Sequence, residues 1–246
     1  MDRMLYISMT GARETMLSQA VNTNNLANAS TTGFRADLET AVSLPLYGPG
    51  QPSRVYGVTE GNGVDLAPGA LKRTGRELDV AVKGDGWIAV QAPDGGEAYT
   101  RAGDLHVDSY GVLTTGAGHP VMGDGGPIAI PPYGKLDIGA DGTISVQPLG
   151  QGVNALAVVD RIKLVKLPPD QVTKGDDGLV RLRNAAKVEP DASVTLVSGA
   201  LETSNVNAVE SMVRLIELAR QYEAQVKMMK TAEENDSAAA QLLRTS

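Results

Sequence analysis

Two histidines, His106 and His119, and no cysteine leave this chain little room for imidazole or thiolate chemistry. Neither histidine has a partner at a metal-ligand spacing, and His119 precedes Pro120 in a glycine-rich stretch that reads as a solvated loop. Without cysteine there are no disulfides, thiolate nucleophiles or Cys-ligated metals. No Gly-x-Ser-x-Gly elbow is present. The run Lys83-Gly84-Asp85-Gly86-Trp87 has two glycines but not the spacing of a phosphate loop, and reads as a tight turn before a strand. The turns Gly139–Gly142 and Gly175–Gly178 are rich in Asp but lack the closing glutamate of a calcium loop; polar β-turns account for them. Asn28-Ala29-Ser30 matches a glycosylation acceptor by chance, at a helix end. Asp104 and Asp108 remain as the carboxylates of a conceivable hydrolase, whose minimum requirement is a cleft that brings them together. The expectation is a protein that is not an enzyme, with no metal, no cofactor and no small-molecule substrate.

The totals narrow the partners. The 246 residues carry a net charge of −7. Phosphate neutralisation needs a basic patch, so nucleic acid is not expected, and neither is an anionic membrane surface. No stretch is apolar and long enough to span a bilayer, so no membrane insertion is expected. The N-terminus has no uninterrupted apolar core of a cleavable signal peptide. Aromatic residues make up 4%, with one Phe34 and one Trp87, so any core is aliphatic.

With so little chemistry to position, the elements themselves carry the reading. Residues 1 to about 30 read as a helix with Leu5, Met9, Ala12, Met16 and Ala20 along one stripe. Small polar residues from Ala27 to Gly33 end it. From about 34 to 200, turn dipeptides separate short β-branched runs: 78–82, 87–90, 128–130, 143–146, 155–159 and 162–167. Such spacing predicts mainly antiparallel β structure. The helical pattern returns from about Asn205, with Asn207 and Glu210 at capping-box spacing. Met212, Leu215, Ala219, Tyr222, Val226 and Met229 then follow at 3-4-3-4-3 spacing, a heptad seam. The expected fold class is α+β: paired N- and C-terminal amphipathic helices forming a coiled coil, with a β-rich, mainly antiparallel middle domain. The expected divisions are a discontinuous helical assembly domain (1–33 with 205–246), an extended linker region (34–80 with 190–204) and a β-rich outer domain (81–189). The pattern alone leaves open whether both helices dock on their own β domain, as in a self-contained β-domain binding module, or wait for other copies.

Several motifs in order resemble a known family. Asn24-Asn25-Leu26-Ala27-Asn28 followed by Thr32-Gly33-Phe34-Arg35 resembles the N-terminal signature of flagellar rod and hook axial proteins. Ser204-Asn205-Val206-Asn207 and Arg220-Gln221-Tyr222-Glu223 resemble their C-terminal signature. Leu78–Val82, Gly84–Trp87, Tyr99–Gly103 and Gly111–Leu113 resemble the β segment that these proteins share. Trp87 stands where Phe is frequent, and Gln225 where Asn is frequent. The chain is identified as a member of the flagellar basal-body rod protein family. Its opening residues and short length resemble the proximal-rod branch more than the distal-rod or hook-type branches.

The resemblance implies a structural subunit of the proximal rod, polymerising into a helical tube that transmits torque and conducts exported subunits. It implies partners: other rod subunits, copies of itself and the flagellar type III export apparatus. It implies export without a cleaved signal peptide, and residence in the periplasm-spanning rod of the basal body. The residues expected to form the assembly interface are Leu5, Met9, Ala12, Met16, Ala20, Asn24, Asn25, Leu26, Asn28 and Phe34 at one end of the chain. At the other they are Asn205, Asn207, Met212, Leu215, Ala219, Tyr222, Val226 and Met229. The asparagines are expected to fix register between subunits through their amides. Residues 134–190 carry no matching motif.

Overall fold

The computed structural model describes residues 3–45, 55–149, 156–184 and 187–244. The first helix, α1, spans Arg3–Ala27 and the second, α2, Ala208–Arg244. No Pro interrupts either, and α2 ends in an Ala-rich tail of high intrinsic helix propensity. That tail reads weakly by pattern yet stays helical to Arg244. Asn207 caps α2: its Oδ1 accepts from Val209 N at 3.1 Å and Glu210 N at 3.3 Å.

The chain forms two compact units. The first comprises Met1–Ala27, Asp37–Gly63 and Asn207–Ser246, the second Asn28–Ala36 and Val64–Val206. In the first unit α1 packs on α2, and the strands Asp37–Pro45 and Val55–Val64 pair in a two-stranded sheet.

In the second unit five strands run in the order Leu164–Lys166, Gly86–Gln91, Glu97–Thr100, Val180–Leu182, Val172–Lys174. Three more run Ala157–Arg161, Thr143–Pro148, Tyr133–Ile138. Every strand pair with a described register is antiparallel. Gly86–Gln91 shows why its sequence is almost continuously apolar. Successive side chains point to opposite faces, so Ile88 and Val90 enter one core and Trp87 and Ala89 a second. The runs expected as strands appear at Val80–Lys83, Gly86–Gln91, Thr143–Pro148, Ala157–Arg161 and Leu164–Lys166. Ala155 lies outside the described residues. Residues 128–130 make only isolated bridges.

The expected fold class is overturned. The chain is not an α+β protein closed by an apolar coiled coil. Among the described residues there are two α-helices, one at each end, and sixteen strands between them. The terminal helices do meet, along a row that mixes small and polar side chains with larger apolar ones. On α2 the less exposed positions are Ala208, Ser211, Leu215, Leu218, Ala219, Tyr222, Gln225, Met229 and Ala232. Of the expected seam, Leu215, Ala219, Tyr222 and Met229 are half-buried, whereas Met212 and Val226 face solvent and the neighbouring Ser211 and Gln225 are less exposed in their place. On α1 the buried row is Ser8, Ala12, Thr15, Asn22 and Asn25. The physical reason is hydrogen bonding. Asn22 Nδ2 donates to Ser211 O at 2.8 Å in a buried contact between the helices, and an amide in that place must be satisfied. Its bond sets the rotation of α2 against α1.

Candidate assembly surface

The helix pair runs antiparallel, with Asn22 opposite Ser211 and Gly11 opposite Gln225. Gly11 allows the close approach: a Cβ there would lie 2.9 Å from Gln225 Nε2. Ser8 is fully buried with its hydroxyl unpartnered. Thr15 Oγ1 donates back to Gly11 O at 2.8 Å. The bond from Asn22 to Ser211 O contributes about 0.5–1.5 kcal/mol net to the pairing.

The apolar residues lie outside that row. Met9 is 53% exposed, Met16 55% and Met212 54%. Leu5, Tyr6 and Leu17 on α1, and Val209, Val213, Ile216, Val226 and Met228 on α2, are exposed as well. Of the expected interface residues on the helices, Ala12 and Asn25 are buried, and Leu26, Leu215, Ala219, Tyr222 and Met229 are half-buried. Leu5, Met9, Met16, Ala20, Asn24, Asn207, Met212 and Val226 are exposed. Large exposed apolar patches are a common feature of protein interaction sites. Asn25 ties α1 to the paired strands: its Nδ2 donates to Asp37 O at 2.9 Å and its Oδ1 accepts from Asp37 N at 2.8 Å.

The remaining expected residues fall in the second unit. Asn28 accepts from Thr31 Oγ1 in the turn after α1. Phe34 lies 3.8 Å beneath Lys174 Nζ. Asn205 is a latch: Oδ1 accepts from Ala36 N at 2.8 Å, and Nδ2 donates to Asp65 O at 3.0 Å and Ala67 O at 3.1 Å.

Beside that latch is a charge cluster that pattern reading misses. Glu202, 1% exposed, accepts from Arg35 Nη2 at 2.6 Å and Arg101 Nη1 at 3.1 Å. Gly69 N adds a bond to Glu202 Oε1 at 2.8 Å, and Arg101 Nη2 donates to Gly84 O at 2.7 Å. Both guanidinium groups lie over the Trp87 ring, 5.8 and 5.1 Å from its centroid. Burial pulls Arg101 below the ordinary guanidinium range, Glu202 opposes that, and the neighbouring Arg35 charge adds to it. Gly33 (φ 67°) makes the approach possible, since a Cβ there would meet Arg101 C at 2.2 Å. The motifs Thr32–Arg35, Gly84–Trp87 and Tyr99–Gly103 thus converge on one clasp that joins residues 33–35 to 200–202. The visible signal was the arginine inside each of two motifs. Glu202, a lone carboxylate in a short strand, had none.

The chemistry-bearing residues have structural duties. Asp108 Oδ1 accepts from Tyr110 N and Val112 N, both at 2.8 Å, and so shapes a turn. Asp104 lies in an isolated bridge with Asp79. His106 Nε2 pairs with Thr114 Oγ1 at 3.0 Å. Among the described residues no three His, Cys, Asp or Glu side chains gather as metal ligands.

Three family models match the chain: the flagellar basal body rod protein over residues 5–35, the flagellar hook protein FlgE/F/G D1 domain over 81–146, and the flagellar basal body rod FlgEFG protein C-terminal region over 197–242. The flagellar basal-body rod protein FlgF of Escherichia coli (strain K12) is 44% identical over 252 residues, covering 100% of both chains. That of Salmonella typhimurium is similar to the same degree. The flagellar basal-body rod protein FlgG of Buchnera aphidicola subsp. Schizaphis graminum is 34% identical, covering 94% of this chain and 95% of its own.

Proposed function

The chain belongs to the flagellar basal-body rod protein family, and from that premise we propose how its surfaces serve the rod. It is a structural rod subunit of the FlgF type, with the FlgG type a close relative. It assembles with other rod subunits and with itself in the flagellar basal body. Its contribution is mechanical. Neighbours cover the apolar stripes of α1 and α2, contact by contact, in a heterologous lattice that extends without closing. The lattice is a tube that transmits torque and conducts exported subunits. Residues 1–33 with 205–246 form the assembly element, 81–189 the outer domain, and 34–80 with 190–204 the connection between them. The subunit reaches the rod through the type III export apparatus without signal cleavage, and carries out no catalysis.

The observation that carries this reading is the apolar surface the helix pair leaves open: Ser8, Thr15, Asn22 and Ser211 are buried, while Met9, Met16, Met212 and Ile216 remain exposed. Fully burying such side chains yields about 1.5–3 kcal/mol each, and those already half-buried yield about half of that. A charge placed there has no partner once a neighbour docks. The test is complementation of a deletion strain with Met16→Asp and Met212→Asp. Motility is expected to be lost while the purified variants keep wild-type helical circular dichroism. Normal motility with both variants would remove these stripes from the interface.

A further inference from the structure

In the second unit, an open groove of about 410 Å³ is lined by Asp108, Tyr110, Pro131, Pro132, Tyr133 and Leu149, among others. Its walls are tied by hydrogen bonds. Tyr110 sits at the tip of a turn held by two bonds to Asp108 Oδ1 and by Gly111 at φ 83°. That turn is stapled to the opposite wall by Ile130 N donating to Gly111 O at 2.7 Å. Tyr133 pairs with Pro148, next to Leu149. Tyr110 is 90% exposed, an aromatic ring left open to solvent among the described residues. Among the described residues no Lys or Arg lines the groove, and the two bonds to Asp108 fall on Oδ1, leaving Oδ2 for a cation.

Aromatic and proline walls with one carboxylate at the rim suit a polyproline-type ligand followed by a base. The chain contains one segment of that composition. Pro49-Gly50-Gln51-Pro52-Ser53-Arg54 places two prolines three residues apart and an arginine two residues on. With three residues per polyproline turn, the prolines share an edge. We propose that this groove takes the Pro49–Arg54 segment of a second copy of this chain, the prolines against Tyr110 and Tyr133 and Arg54 paired with Asp108. A segment-to-groove contact of this kind is heterologous, so it propagates along an assembly. The inference supplies a lattice contact for the rod reading, but its test needs no rod.

A fluorescent peptide of residues 45–55 is titrated against the full-length chain carrying Pro49→Ala and Pro52→Ala, which removes self-competition. Saturable binding is expected. It should weaken at least about tenfold when the receptor also carries Tyr110→Ala, or when the peptide carries Arg54→Glu. Tyr110 is exposed, so the unfolding midpoint read by Trp87 fluorescence should be unchanged. A photo-crosslinker at position 110 is then placed in wild-type chains mixed from two nitrogen isotopes, with heavy–light crosslinks to residues 46–54 expected. Absence of saturable binding, binding indifferent to both substitutions, or crosslinks confined to one chain would each overturn the proposal.

Discussion

Replacing Glu202 by Gln keeps the shape of the buried clasp and removes its only negative charge. The two guanidinium groups it joins are 2% exposed and bonded at 2.6 and 3.1 Å. Without the carboxylate, two positive charges stay buried over Trp87, and Arg35 Nε, Arg35 Nη1 and Arg101 Nε already have no bonding partner. Breaking a buried pair by removing one partner costs about 3–5 kcal/mol. With a urea m-value of about 3 kcal/mol/M, the midpoint should fall by roughly 1–1.7 M. Trp87 is the chain's single tryptophan, is buried, and lies under both guanidinium groups, so its fluorescence reads this unit without labels. A Glu202→Gln midpoint within about 0.3 M of wild type, which is about 1 kcal/mol at that m-value, would refute the reasoning. It would mean that the buried positive charge is compensated by something other than Glu202. The triple replacement Arg35→Met, Arg101→Met and Glu202→Leu should recover most of the loss, because well-packed apolar groups replace buried ion pairs at little cost.

Gly33→Ala forces a Cβ to 2.2 Å from the Arg101 backbone and should destabilise the same unit by more than about 2 kcal/mol, whereas Gly95→Ala, at φ 82° with open space around it, should cost about 1 kcal/mol; Trp87 urea curves compare them. Asn22→Ala removes the inter-helix bond to Ser211 and should cost the helix pair about 1–2 kcal/mol, seen in thermal melts by helical circular dichroism with the Trp87 transition unmoved. The Arg181 guanidinium holds Asp177 below the usual carboxylate range. A depressed folded pKa means that its contribution is present above the unfolded value of about 3.9 and is lost as pH falls through the folded value. Asp177→Asn should therefore lower stability at pH 7 by about 0.5–1 kcal/mol, and the gap from wild type should narrow as pH falls below the unfolded value of about 3.9.

Much of the architecture was legible because it rests on local rules. The span of α1 follows from an unbroken, Pro-free pattern ended by small polar residues, and the strand at Gly86–Gln91 from a short β-branched run bounded by turn residues. Asn207 was readable as a helix start from its side chain alone. The seam of the helix pair was not. Hydrophobic periodicity reports which face wants cover, not whether the cover comes from the same chain. Met212 and Met16 satisfy the pattern yet point away from the partner helix. Arg35, Arg101 and Glu202 were illegible as a cluster, since charged residues 66 and 101 positions apart read one at a time as surface groups.

The sequence by itself determined the order of the elements, two terminal helices around a strand-rich middle, because propensity and periodicity act within a few residues. It also marked an apolar stripe on each terminal helix, leaving open what covers it. The tertiary structure alone decided which helix face meets the other. That choice turns on one amide, Asn22, reaching one carbonyl, Ser211 O, and on Gly11 leaving room for Gln225. It also decided that distant motifs meet around Glu202, because burying a charge is tolerable only where folding brings its partners within hydrogen-bond reach.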